Sequence, residues 1–527
     1  MKQTMKHQSL LSGIKSLGIM LSLGLALASC TKDDVAQNPA TPNEEENKNL
    51  TTFVAGGENK TRTSMDYNSG DFYWEAGDYI YVKDDDGVLQ KSTNAPDQKV
   101  ASFNYKVPGK FTASSSYKIY YFGKNSSNNQ VVIPSAQSQS TPNNTEHFGV
   151  SGDYGTATAK KVTGKNQFVF ELEHQAAYLV FHPYVSNTLL QNCYLTKIEV
   201  SSDNDIASTY TLSASTGTLQ SVNTGAEADK EIILSTKGSG TYANGFPLNT
   251  ASDNVAVNGV YMVIKPGTHT LKVRYWLKDV STGIEGTVTK AFKAFNYDVN
   301  NYYDIDGNLN IRDYDGDHYY MWDAKEQYWK GHEWWSANKD QPVLNGNDNG
   351  NDPKDNNDSR WYNEGSGSSL NATQSCATLP NVNEMTWYAA YGEPRWDADE
   401  LWTTMGHLYK GGMWFKKKAV LQGEGHYNSN TAADGTDWRA TTARAEQTWP
   451  VSPSLPSAAD AGNYFYLPAL GTYAYGGLNY VGDEGVYWSS SASLWNSGSA
   501  YVLDFYSDGI DVGVYGCDAG YRVGGFE

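Results

Sequence analysis

The chain has 527 residues, a formal net charge of −19, 39% hydrophobic, 13% aromatic and 19% charged residues, and 4 cysteines. That length exceeds what one core serves and predicts two or three domains, with enough apolar side chains to fill them. The acidic balance excludes nucleic acid and anionic lipid as electrostatic partners, and so few cysteines exclude a disulfide scaffold or a cysteine-rich metal cage.

The chain opens with Lys2, Lys6 and Lys15 and is almost wholly apolar over residues 17–28. That run is too short to span a bilayer as a stable helix and reads as a secretory signal over residues 1–29. Leu27-Ala28-Ser29-Cys30 resembles the bacterial lipobox, in which the peptide is cut before the cysteine and the thiol carries a diacylglycerol. The resemblance implies that Cys30 is the first mature residue, held in the membrane by acyl chains at about 0.8 kcal/mol per buried methylene. Lys32-Asp33-Asp34 resembles the acidic tag that sends some lipoproteins of gut-dwelling Gram-negative bacteria to the outer face of the outer membrane. Residues 30–50, with Pro39, Pro42 and Glu44-Glu45-Glu46, have nothing to bury and read as a flexible acidic tether.

From Thr51 the texture changes to short alternating runs, at residues 72–74, 79–82, 117–122, 168–172, 178–181, 195–200, 260–264 and 271–276. Period-two alternation gives sheets with one wet and one dry face, hence β-sandwiches. Ile264-Lys265-Pro266-Gly267-Thr268 reads as a tight connection between two strands. Cys193, inside a strand, reads as a buried free thiol, and His174 and His182 as packed or surface histidines.

Lys60-Thr61-Arg62-Thr63, then Trp74-Glu75-Ala76-Gly77-Asp78-Tyr79-Ile80, residues 168–181 and Tyr302-Tyr303-Asp304-Ile305 follow one another in a telling order. In order and spacing they resemble the fimbrillin-like family of pilus and pilus-associated lipoproteins, over residues 51–310. The resemblance implies tandem transthyretin-like β-sandwiches, with residues 168–181 as a central strand pair. It also implies partnership with other fimbrial subunits by strand complementation, in which a neighbour's strand fills an open strand edge. In polymerising members a protease cuts after an arginine to vacate that edge. Arg62 is the residue that matches such a cut, and an uncut Arg62 on an exposed strand fits the residues equally well.

Past Asn308 the composition shifts: 13 of the 15 tryptophans lie between Trp322 and Trp495, which marks residues 313–527 as a separate aromatic-rich domain. Carboxylates alternate from Asp313 to Asp323 around Gly316, as a calcium site would require, but the EF-hand spacing and its terminal glutamate are missing. No cofactor is expected, with calcium as the lesser reading. Residues 383–391 read as a helix closed by Gly392, and Asp397-Ala398-Asp399-Glu400 as a capping box opening a second helix that ends near Gly406. Residues 413–416, 464–467 and 486–489 read as strands, and 500–506 with 510–515 as a hairpin about Ser507-Asp508-Gly509.

Within this domain Cys376-Ala377-Thr378-Leu379-Pro380, Asn383-Glu384, Phe465-Tyr466-Leu467-Pro468-Ala469, Tyr487-Trp488-Ser489-Ser490-Ser491 and Gly520-Tyr521-Arg522-Val523 recur in a recognisable sequence. They resemble the FISUMP (major paralogous) domain, which is similar to the C-type lectin fold and implies an α+β module over residues 313–527. The Glu-Pro-Asn triplet and Trp-Asn-Asp motif of lectin calcium sites are missing from the sequence, so calcium-dependent sugar binding is not implied. Trp334, Trp335, Trp361 and Trp495 lie among Gly, Asn and Ser and are the candidates for stacking on sugar faces. Cys376 and Cys517, near the two ends of the module, are the candidates for a disulfide in an oxidising periplasm.

The sequence holds no HExxH, P-loop or G-x-S-x-G motif and no nucleophile with a credible base, so no catalytic residue is expected. Together these features point to a lipoprotein of the cell outer membrane and fimbrium, acting as a pilus tip or accessory adhesin. Its expected partners are other subunits and a host or microbial surface glycan or protein. A structural pilus anchor and a glycan-capture lipoprotein of nutrient uptake are the alternatives. Mass spectrometry of the mature protein is expected to find Cys30 first and acylated; an unlipidated start elsewhere, or recovery from the cytosol, refutes the anchor.

Overall fold

The structure, a computed structural model, describes residues 6–9, 50–56, 64–67, 71–125, 129–213, 218–222, 226–364 and 371–527. Cys30, Arg62, the lipobox, the acidic tag and nearly all of the tether lie outside the described residues. The fold is mainly β, and among the described residues no helix is long and apolar enough to cross a membrane.

Lys6–Ser9 (β1) belongs to a sheet completed much later in the chain. The first body is built from β2 (Leu50–Ala55), β3 (Tyr81–Lys83), β4 (Leu89–Lys91), β5 (Phe103–Pro108), β6 (Ser116–Tyr121), β7 (Gly155–Lys161) and β8 (Gln167–Phe170). Their order is β4-β3-β6-β7-β8-β2-β5, and the sheet curls until Thr93 N, just past β4, donates to Lys106 O of β5 at 2.7 Å. Alternation dictates which side faces in: Thr51, Phe53 and Ala55 of β2 are buried while their neighbours are not. Phe53 stacks on Phe168 at 5.1 Å, and Trp74, Tyr105, Tyr121 and Phe170 fill the interior around them.

The second body is a true sandwich. One sheet holds β9 (Ala177–Tyr184), and the facing sheet holds β10 (Cys193–Ser202) and β11 (Glu231–Ser235). β12 (Val260–Ile264) returns to the first sheet, β13 (Leu271–Asp279) and β14 (Glu285–Ala291) extend the second, and β15 (Asn301–Asn308) closes the first beside β9. Residues 177–183 are buried without a break, because Phe72 and Phe148 of the first body cover the face of β9 that the sandwich core does not. β8 and β9, adjacent in sequence, are therefore not a pair: β8 bonds β7 and β2, whereas β9 bonds β12 and β15. The Ile264–Thr268 connection likewise leaves β12 for a short strand, Gly267–His269, that pairs with Phe295–Tyr297.

The C-terminal body begins with the short strand Tyr319–Tyr320, paired with Tyr521–Arg522, and its main helix is α1 (Val382–Tyr391), held by a reciprocal cap in which Glu384 N donates to Asn381 Oδ1 at 3.0 Å and Asn381 N to Glu384 Oε2 at 2.9 Å. The second expected helix is a strand instead. β16 (Arg395–Thr404) pairs antiparallel with β17 (His407–Lys416), and Met405 and Gly406, at φ 48° and 75°, form the two-residue turn between them. Both turn residues lie in the left-handed region, as a type I′ hairpin requires. A helix at Lys418–Gly423 (α2) went unanticipated. β18 (Tyr464–Pro468) follows β17 in the sheet. β19 (Thr472–Ala474) and β20 (Gly477–Asn479) make a small hairpin, and β21 (Glu484–Ala492), β22 (Ser499–Tyr506) and β23 (Gly509–Gly516) form the sheet beneath α1. Ser507 and Asp508 turn β22 into β23, with Tyr506 opposite Gly509. Trp322, Trp329, Trp402 and Trp488 are fully buried here, so these rings are core.

Candidate functional site

The second and third bodies share a sheet. β14 lies beside β16 with Thr287 opposite Glu400, so the order β11-β10-β13-β14-β16-β17-β18 runs from one body into the other. Gly286 is needed at this contact, since a Cβ there would lie 2.4 Å from Asp399 O. The alternation of β13 places Leu271, Val273, Tyr275 and Leu277 in the sandwich core and turns Lys272 and Arg274 the other way, toward β16.

Arg274 is buried there. Its Nη2 donates to Asp397 Oδ1 at 2.9 Å and to Thr287 Oγ1 at 3.1 Å, and its guanidinium lies over the Trp276 ring. Asp397 Oδ2 accepts from Trp414 Nε1 at 3.1 Å. Glu400 accepts from Thr287 Oγ1 at 3.0 Å, Thr289 N at 3.0 Å and Thr289 Oγ1 at 2.6 Å. Burial, then the nearby Asp397 charge, pushes the Glu400 carboxyl up to about 7, against the pull of its donors. Lys410 Nζ reaches back to Glu285 O at 3.0 Å and Lys272 Nζ forward to Pro456 O at 2.7 Å.

Alongside these bonds opens a cleft of about 650 Å³, with Lys272, Arg274 and Lys293 on the sandwich side and Trp414, Lys417 and Tyr464 on the other. A second cleft of about 750 Å³ shares Lys272 and Ala458 with it, so the two form one groove along the joint.

The tryptophans selected from the sequence do not converge. Trp334 and Trp335 touch edge to face at 5.8 Å, but no ring contact among the described residues links either to Trp361 or Trp495. Trp334 and Trp361 pack against the core; only Trp335 and Trp495, each 49% exposed, offer a ring face to solvent. Sequence reasoning missed Tyr475, 89% exposed at the tip of the β19–β20 hairpin with φ 52°. The Tyr-Gly-Gly turn was its only signal.

Cys376 and Cys517 are free thiols in the structure, buried in one cluster with Trp488 and Tyr521, and the disulfide considered for them is not formed. Burial pushes both up, Cys376 to about 12. Cys193 is a buried free thiol. His174 is buried against Asp153, and His182 lies between Asp253 and Asp304. In the acidic stretch, Asp313 accepts from Thr403 Oγ1, and Asp323 from the backbone N–H of Thr373, Gln374 and Cys376. Among the described residues no group of three His, Cys, Asp or Glu is placed to hold a metal ion.

No family model matches the sequence and no curated protein matches it. Among solved structures, a candidate cell adhesion protein from Bacteroides ovatus is 12% identical with a TM-score of 0.30, over 49% of this chain and 91% of that one. The fimbrial anchor protein Mfa2 from Porphyromonas gingivalis is 14% identical with a TM-score of 0.21, over 46% and 82%. A fimbrial protein from Bacteroides ovatus is 10% identical with a TM-score of 0.23, over 90% and 98%. Likenesses at this level assign no function.

Asp397→Leu alone is expected to destabilise the protein by about 3–5 kcal/mol, by leaving a buried guanidinium unpaired, and the double variant Arg274→Met/Asp397→Leu to recover most of that in denaturant unfolding. Independent, additive losses would show that the pair does not hold the joint. Glu400 sets a pH dependence. Its folded pKa lies above its unfolded value, so its contribution is full below about 4.5 and is lost as pH rises through about 7. Melting temperatures from pH 5 to 8 should fall on this account, by up to ~3 kcal/mol of stability, and Glu400→Gln should flatten the slope.

Proposed function

We propose that the chain is a surface lipoprotein of a fimbrial system, a terminal or accessory subunit whose C-terminal module meets a glycan or another cell surface. The observation that carries this reading is the partner of β15. Lys6–Ser9 lies antiparallel along its outer edge, from Lys6 opposite Asp304 to Ser9 opposite Asn301. Those residues precede Cys30 and belong to the segment that lipid attachment removes. Maturation then vacates the edge of a strand whose other side is bonded to β9, and an open row of backbone donors and acceptors is what a strand from a neighbouring subunit fills.

The packing of residues 521–526 bears on position within the assembly. Tyr521 and Arg522 pair within the C-terminal sheet, Val523 N bonds His318 O, and Phe526 packs against Tyr388, Phe465 and Tyr487. These residues are built into the module and are not offered to a neighbour. A chain that takes up a strand along β15 while residues 521–526 stay committed to its own module fits a terminal or accessory place in a fibre. The half-exposed rings of Trp335 and Trp495 and the cationic groove support contact with saccharide.

Immunogold labelling of intact cells against residues 313–527 is expected to mark fimbrial tips, and antigen-binding fragments against that module to block adhesion to mucin. Label at fimbrial bases would favour an anchor, and adhesion untouched by saturating fragments would overturn the adhesin reading.

A further inference from the structure

We infer that the groove between the sandwich and the C-terminal module binds an acidic saccharide, a sugar carrying a carboxylate. That the ligand is a glycan rests on the function proposed above; that it is acidic rests on the groove itself.

Charge is the first reason. The chain as a whole carries −19, yet the 650 Å³ cleft of this groove is lined by Lys272, Arg274, Lys293 and Lys417 against a single carboxylate, Asp397, whereas the adjoining 750 Å³ cleft sets Glu227 and Glu231 beside Lys230. Asp397 is already engaged by Arg274 and Trp414, and Lys417, which donates to Gly462 O, meets Glu527 Oε1 only at 4.0 Å. Among the described residues Lys293 forms no ion pair, and it is exposed at the mouth. Lys272 donates to a neutral carbonyl, Pro456 O, and its burial lowers the ammonium pKa, a penalty that an incoming anion would relieve. Deeper in, the buried Arg274 keeps its Nε without a hydrogen-bond partner. A buried guanidinium N–H left over beside a cleft is a vacant donor for an acceptor from outside.

The remaining wall suits a sugar better than a polyphosphate or a peptide. Thr270, Thr289 and Asn463 present neutral hydrogen-bonding groups beside the half-buried ring of Trp414, the mixture that hydroxyls and C–H faces of a pyranose require. Continuity with the second cleft through Lys272 and Ala458 gives room for more than one ring. The long-range field of an acidic protein repels a densely charged polyanion and tolerates a ligand with one charge per sugar.

Titration calorimetry of the full chain in detergent tests this with sialyllactose, trigalacturonate, sulfated lactose and lactose. Sialyllactose or trigalacturonate should bind, with lactose at least about tenfold weaker, and binding should weaken in about 0.5 M NaCl. Lys293→Glu and Lys417→Glu should each lower the affinity about tenfold at an unchanged melting temperature, whereas Lys165→Glu, on the first body, should leave it alone. Binding of sulfated lactose alone would overturn the carboxylate assignment. Failure of both acidic sugars, equal binding of lactose, indifference to both groove variants, or an acidic hexapeptide bound as tightly would overturn the site. If fragments fail to block adhesion while sialyllactose binding still depends on Lys293, the adhesin reading falls and the groove stands; the opposite pattern removes the groove alone.

Discussion

Arg274 lies between two bodies of the molecule, with its aliphatic stem rising from a sandwich strand and its charge met by Asp397 of the C-terminal module. A guanidinium taken out of water without a partner costs several kcal/mol, so the module cannot lift away unless water follows it in. Thr287, Thr289 and Glu400 complete the same network, and Gly286 lets the backbones approach closely enough for it to form. One continuous sheet results where composition indicates two separate domains. The groove exists because of this joint: its floor is the outer face of β13, its far wall the segment around Pro456 and Tyr464, and both bodies supply its cations, Lys272, Arg274 and Lys293 from the sandwich and Lys417 from the module.

Most strands were legible because burial follows period-two alternation or an unbroken apolar run, as in β6, β9, β10 and β13, while β2 went unread. α1 was legible from residues 383–391 and the closing Gly392, whereas the Asn381–Glu384 cap that sets its true start went unread. The error at residues 397–406 shows where such local signals stop. Asp397 and Glu400 carry the spacing of a helix cap, but their donors are Arg274, Thr287 and Thr289, more than a hundred residues earlier. Long-range pairing with β17 and β14 overrides the local rule, while Thr403, Thr404 and the Met405-Gly406 turn agree with a strand. The site was illegible for the same reason. No spacing in the sequence announces that Lys272, Lys293 and Lys417 face one cavity, whereas aromatic content drew notice to tryptophans that the fold uses largely as filling.

Residues 168–181 carry a related lesson. The two apolar runs are close in the chain and share composition, yet the sequence between them carries the chain from the curled first sheet into the sandwich. What unites them is side-chain packing: Phe72 and Phe148 lean on Tyr178, so the first and second bodies share a core across their boundary. The three bodies are thus coupled by two different means, an apolar seam at one boundary and a polar, charge-bearing seam at the other.

That difference governs how the molecule answers a pull. Tension applied between the first body and the outer side of the C-terminal module would load both seams in series. The apolar seam yields by exposing rings to water, and the β14–β16 seam, where a single bridge stands in for a ladder, by rupturing a handful of directional polar bonds. Directional bonds are brittle, giving nothing until they break, so under flow the C-terminal module would hold its orientation up to a threshold and then swing free as a unit.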